Sequence, residues 1–156
     1  MRKLVAIAML AAALGGGAAL WQASPTSAAG STTVVMDHLN NPRHVHVAAD
    51  GSIYVAEAGK GGSHCSGPRR DKTCIGFTSA VSRYANGTQQ RIVTGLVSAA
   101  GKDGSFAVGA DDVAVDASGS LFSIETSAGR HTGLPRVYTK QLGRLLATSP
   151  AGTRRT

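Results

Sequence analysis

Short apolar runs recur along the chain, broken by glycine-containing pairs. The stretch VHVAADGSIYVAE, Val45 to Glu57, places two such runs around Asp50 and Gly51. A Gly at that point supplies the positive φ that a tight hairpin turn needs, so the stretch predicts strand, turn, strand. The same pattern returns 68 positions later, from Val45 to Val113, as VAVDASGSLFSIE, Val113 to Glu125. Six of the thirteen positions are identical without a gap: Val113, Val115, Ala117, Gly119, Ser120 and Glu125 repeat Val45, Val47, Ala49, Gly51, Ser52 and Glu57. Ile53 and Tyr54 become Leu121 and Phe122. Self-similarity at a fixed spacing is the mark of a repeat architecture. The second strand of each copy, SIYVAE or SLFSIE, is largely apolar at odd and even positions alike. That predicts a strand covered on two sides.

Between the copies, SAVSRYANGTQQRIVTGL predicts a strand from Ala80 to Tyr84, a turn at Asn86 and Gly87, and a strand from Gln90 to Thr94. Asn-Gly is the strongest short hairpin signal. It also opens a glycosylation sequon, Asn86-Gly87-Thr88, but the turn accounts for it. Four antiparallel strands followed by a fresh copy describe the blade of a β-propeller. The expected architecture is therefore all-β: a partial β-propeller of about two four-stranded antiparallel blades, the first over about 41–96 and the second over about 109–156. Two long loops are expected, one from Gly59 to Phe77 and one within GLVSAAGKDGSFAVGADD before the second copy. The glycines of GKGGSH, Gly59 to His64, read as a flexible crossing. TSAGRHTGLP reads as a loop. Leu142 to Thr148 corresponds to Ala80 to Ala85, and Pro150 to Thr153 to Ala85 to Thr88, with the chain stopping before the fourth strand of the second blade. Ser31 to Leu39 has the character of an outer strand of a blade closed elsewhere. Two blades leave apolar faces and strand edges open. The expected partners are therefore the missing blades of a longer protein or, alternatively, further copies that complete the ring.

The first 29 residues stand apart. Arg2 and Lys3 precede an apolar run from Leu4 to Leu20, and small residues around Thr26 to Ala29 fit a cleavage site. This predicts a secretory signal helix, 1–29, and a secreted mature chain, 30–156, with no stable membrane insertion after cleavage. The run is short and rich in Ala and Gly for a spanning helix. The chain carries 16 Lys and Arg against 9 Asp and Glu, a net charge of +7. The basic residues are scattered, apart from Arg69, Arg70 and Lys72 and the pair Arg154 and Arg155. Without a basic stripe or stacking aromatics, nucleic acid is not an expected partner. Cys65 and Cys74 are the two cysteines. In an exported chain such a pair predicts a disulfide, worth about 2.5–3 kcal/mol by loop entropy.

Leu39 to Arg43 (LNNPR), DGSIYVAEAGKGG, the cysteine-bearing loop with GFTSAVSRY, and QQRIVTGL together resemble the N-terminal part of the ScyD/ScyE family of secreted bacterial proteins. The resemblance runs over most of Val34 to Thr153 and is most specific from Asn41 to Gly62. His44, His46, Ser123 and Thr126 depart from it. It implies a propeller similar to NHL-type and gluconolactonase-like six-bladed propellers, and an extracellular compartment. It implies no defined activity.

Motifs that carry chemistry are sparse. There is no G-x-S-x-G elbow, no phosphate loop and no H-E-x-x-H pair, so no catalytic residue is assigned. Glu57 and Glu125 hold equal places in the two copies. With Asn41, Asp111 and Asp112, which lie just ahead of the first strand of each copy, they form a candidate oxygen-ligand set for Ca²⁺. The alternative is that these side chains accept backbone N–H groups in turns. A calcium-dependent lactonase or esterase would also need a base. His44 and His131 are the candidates. The two functional expectations are a non-catalytic extracellular scaffold or binding protein and, alternatively, such a hydrolase.

Overall fold

A computed structural model describes residues 30–68, 72–126, 134–149 and the backbone of Arg154 and Arg155. The segment 1–29 expected as a signal helix, Arg69 and Arg70, His131 with the loop expected around it, and the turn expected at Pro150 to Thr153 lie outside the described residues. The rest is antiparallel β-structure in two sheets. The first contains β1 (Pro42–Val47), β2 (Ile53–Glu57), β3 (His64–Ser66), β4 (Thr73–Ala85) and β5 (Thr88–Gly101). The second contains β6 (Ala110–Val115), β7 (Leu121–Glu125), β8 (Arg144–Thr148) and β9 (Arg154–Arg155), with a one-turn helix, α1 (Arg136–Thr139), ahead of β8. The first sheet runs β1-β2-β4-β5 with β3 added on β4, and the second runs β6-β7-β8-β9.

The repeat seen in the sequence is a repeat of backbone. Each of β6 and β7 begins and ends 68 positions after β1 and β2. Pro42 faces Glu57 and Ala110 faces Glu125; a bulge follows in each copy. Gly51 and Gly119 adopt φ of 79° and 81°. The closing bonds match as well: Ala48 N–H to Ser52 O is 2.9 Å and Asp116 N–H to Ser120 O is 3.0 Å. Even the exit from the hairpin repeats, with Ala58 N–H on Asn41 O and Thr126 N–H on Gly109 O, both 3.0 Å.

The third strand repeats with a different offset. Ala80 and Tyr84 of β4 face the ends of β2, and Arg144 and Thr148 of β8 face the ends of β7. The offset is thus 64 from Ala80 to Arg144, so the alignment of Leu142 with Ala80 shifts by two residues. The second sheet does not stop at three strands. Arg154 and Arg155 pair with Thr148 and Ala147, as Gln89 and Gln90 pair with Tyr84 and Arg83. The expected end before the fourth strand is corrected accordingly.

Three further expectations change. The loops expected at Gly59 to Phe77 and after Gly95 are partly strand, because β4 and β5 continue past the sheet as one long hairpin. Register shifts between Gly76 and Ser82, and a positive φ at Gly95, let that hairpin bend away while staying paired. Bulges are the usual means of turning a strand without losing its ladder. β3 pairs on the extension, placing Cys65 opposite Cys74. The glycines of Gly59 to Gly62 are tightly packed. A Cβ on Gly62 would lie 2.4 Å from Gly76 Cα, and one on Gly59 would lie 2.6 Å from Ser79 N. Finally, Ser31 to Leu39 forms no strand. It is held by side chains, Gln89 bonding both the N–H and the carbonyl of Asp37.

The core lies between the sheets. Tyr54, Ala56, Val81, Val93 and Leu96 of the first meet Ala110, Val113, Leu121 and Leu146 of the second. Cross-strand partners share a face, as Ala56 and Val81 do. By the repeat, Val113 is the counterpart of Val45 and Leu121 of Ile53, on the opposite face from Tyr54. The sheets therefore pack head to tail, one face of the first against the other face of the second. β2 is buried on both faces, as its composition predicts, whereas in β7 Ile124 is open to solvent.

Candidate functional site

The residues singled out in the sequence converge on one end of the sheets, where β1 and β6 begin and β2 and β7 finish. Glu57 closes β2 and is fully buried. Its carboxylate is held by protein donors. Oε1 accepts from Ser82 Oγ at 2.6 Å and from Arg91 Nε at 3.0 Å. Oε2 accepts from Arg91 Nη2 at 2.9 Å and from the backbone N–H of Asn40 at 2.5 Å. A carboxylate has about four lone-pair positions, and here each meets a donor. Arg91 extends the same fork to the carbonyl of His38 at 2.7 Å. Such a planar, bidentate pair fixes geometry as well as charge.

The main chain of Glu57 is tied as firmly. Its carbonyl accepts from Ser79 Oγ at 2.8 Å, and that oxygen accepts from the N–H of Ala110 at 2.9 Å. One buried hydroxyl thus joins the end of β2 to the start of β6. Ser98 makes a similar junction just beyond β2. Its Oγ donates to Ala58 O at 2.6 Å and accepts from Gly61 N–H at 2.9 Å. Thr78 Oγ1 donates to Gly61 O at 2.6 Å and accepts from Lys60 N–H at 3.0 Å. This polar stitching holds Ala58–Gly62 flat on β4 and β5, where the glycines permit backbone contact.

Asn41 sits at φ 51°, a left-handed conformation that Asn tolerates better than most residues. Its side-chain amide donates to Gly59 O at 2.7 Å and to Gly104 O at 2.9 Å. Asp111 and Asp112 are exposed on β6. Asp111 lies 3.9 Å from Arg43 Nε, and Asp112 lies 3.4 Å from His44 Nε2. Arg43 also donates to the carbonyl of Ala107. Asp112 Oδ1 accepts from the N–H of Val113 at 2.6 Å. Glu125, at the equivalent place to Glu57, is also buried. The structure therefore brings these residues to one end but in pairs. Among the described residues, no three His, Cys, Asp or Glu side chains are gathered as a metal would need.

Away from this end, Asp50, Asp103 and Asp116 each hold a turn. The Ser52 N–H and hydroxyl, with Arg83 nearby, hold the Asp50 carboxyl below its ordinary pKa of 3.8. Ser105 does the same for Asp103, through its hydroxyl first. The Ser118 hydroxyl and the Ser120 N–H act likewise on Asp116. A shallow groove at the tip of the β4–β5 hairpin is lined by Arg83, Asn86, Thr88, Gln90 and Ile92. The Cys65–Cys74 disulfide is formed. Among the described residues no helix is long and apolar enough to cross a membrane.

Sequence reasoning missed Arg91, Ser82, Ser79 and Asn40. Arg91 gave no signal: on β5 it is exposed beside Gln90, and a cation in such a place reads as a solvated strand residue. Comparison with protein-family models, curated proteins and solved structures finds no match for this chain.

Proposed function

We propose that this chain is a secreted β-propeller protein of the ScyD/ScyE type that acts as a scaffold or binding module and not as a catalyst. The observation that carries the reading is the head-to-tail packing of two sheets whose hairpins repeat residue for residue. Stacking of one sheet's face on the opposite face of the next is how blades are laid around an axis. The disulfide fits an oxidising compartment outside the cytosol. The charged groups at the mouth of the sheets serve to hold strand ends: Glu57 is used by Arg91, Ser82 and Asn40. In a protein of this kind, loops at the sheet ends offer the binding surface.

Two measurements test the reading. N-terminal sequencing of the exported chain should find a start near Ala29 or Gly30; an intact leader in the exported material opposes it. Lactone and ester hydrolysis should show no calcium-dependent component. Saturable calcium-dependent turnover that disappears in Glu57→Gln and Glu125→Gln would establish the hydrolase instead.

A further inference from the structure

The two sheets that meet inside the chain leave two outer faces, and those faces repeat the ones that are covered. The covered face of the first sheet presents Tyr54, Ala56 and Val81. At the 68-position offset, Phe122 and Ile124 replace Tyr54 and Ala56. The pairing of Ile124 with Leu145 puts Leu145 where Val81 stands. So the outer face of the second sheet carries an aromatic and two aliphatic residues in the same places. Ile124 is 44 % exposed and Leu145 63 %.

The other side matches in the same way. The covered face of the second sheet presents Val113, Leu121 and, partly buried, Val115. Their counterparts on the first sheet are Val45, Ile53 and Val47. Val45 is 57 % exposed and Val47 63 %. Ser82 stands where the second sheet has Leu146, and the carboxylate beside it is already neutralised by Arg91. On this face Val55, Glu57 and Ser82 are already buried and the segment at Asp37–His38 lies along Gln89 and Arg91 on β5, so the open part is the apolar edge at β1, with Ile53 half-buried beside it.

We propose that the chain stacks head to tail on further copies of itself. The Phe122–Ile124–Leu145 face of one copy receives the Val45–Val47–Ile53 face of the next, reproducing the contact already made between its own sheets. The inference rests on that internal packing and not on the scaffold or family reading. An interface between unlike faces propagates, closing into a ring if the rotation permits and otherwise extending as a filament. Exposed apolar patches of this kind mark interaction surfaces.

The test uses the full chain and two single substitutions at exposed positions. Leu145→Glu blocks the second-sheet face and Val45→Glu blocks the first-sheet face; Val47→Glu replaces the latter if Val45→Glu alters the near-ultraviolet circular dichroism. By sedimentation velocity the unaltered chain should grow in mass with concentration, past a dimer. Each variant alone should stay monomeric. An equimolar mixture of the two should double in mass, since each retains the face the other lacks. A monomeric unaltered chain overturns the proposal, and so does association that ignores both substitutions. Dimers of either variant alone would show contact between like faces, and a mixture that stays monomeric would exclude contact between unlike ones. None of these outcomes bears on whether the chain is exported or catalytic.

Discussion

Glu57 is the residue on which this end of the protein is organised. It is buried with four donors around its oxygens, so removing Arg91 strands a charge that water cannot reach. Truncating one partner of a buried pair costs several kcal/mol where both are fully enclosed. Arg91 is 36 % exposed, which lowers the figure. Arg91→Leu should therefore destabilise by about 2–3 kcal/mol, read as a lower denaturant midpoint at unchanged slope. Glu57→Gln should also destabilise, because its NH2 would face the Asn40 N–H and Arg91 Nη2, both donors, in a buried site. Neither change should alter the heat of adding Ca²⁺ if Glu57 serves only protein donors.

Asp50, Asp103 and Asp116 have their pKa lowered in the folded chain by their serine partners. Groups depressed by folding contribute stability above their unfolded value of 3.8, and lose it as pH falls through the folded value. The melting temperature should hold down to about pH 4 and then decline. In the Asp50→Asn, Asp103→Asn, Asp116→Asn variant that decline should be shallower. All three are at the surface, so screening by salt should reduce the effect. Their place in the turns was only partly legible. Asp50-Gly51 and Ser118-Gly119 announced two turns, but the carboxylate sits at different positions in them. In the first it follows Ala49, and in the second it has moved to Asp116, where the first copy has Ala48.

Among the elements, the hairpins of the repeat were the most legible. A glycine at a fixed place sets the turn, and in a hairpin the turn sets the register. The β4–β5 hairpin was legible only at its tip. Gly76 and Gly95 read as loop residues, yet they sit where bulged strands bend and where another backbone lies close. Small residues in a strand signal close approach as readily as irregular chain. Gly62→Ala tests this. Its added carbon would meet the Gly76 backbone at 2.4 Å, so one of the two segments must move. Hydrogen exchange should speed in β3 and the neighbouring stretch of β4, while amides of β2 stay protected. Reducing the Cys65–Cys74 bridge should destabilise the same extension, by up to about 3 kcal/mol in the unfolding free energy. The short helix α1 escaped the sequence reading, since four residues carry no period. Its Tyr138 ring lies 5.0 Å from Phe77, centroid to centroid.

For the whole molecule, the main core is shared by both sheets, and a small second cluster of Ala58, Ala100 and Ala107 lies beside the first. Leu146 is fully buried in the second sheet, against the first. Leu146→Ala should cost about 2–5 kcal/mol and lower the melting of both sheets together. Separate transitions would mean that they fold independently. The existence of two related sheets could be read from thirteen aligned positions. Their mutual packing could not, because which face meets which depends on strand pairing and not on composition. The same holds for the site: Glu57 and Glu125 stood out by their repetition, but the arginine that neutralises the first lies on a different strand.

The hairpins repeat at 68 positions and the third strands at 64, so the connections that follow β2 and β7 differ by four residues while the strands they join keep their pairing. Length at that crossing is decoupled from register. The ladder thus tolerates a change of length at this crossing, while the packed Gly59–Gly62 and the paired β3 and β4 fix much of what the first crossing contains.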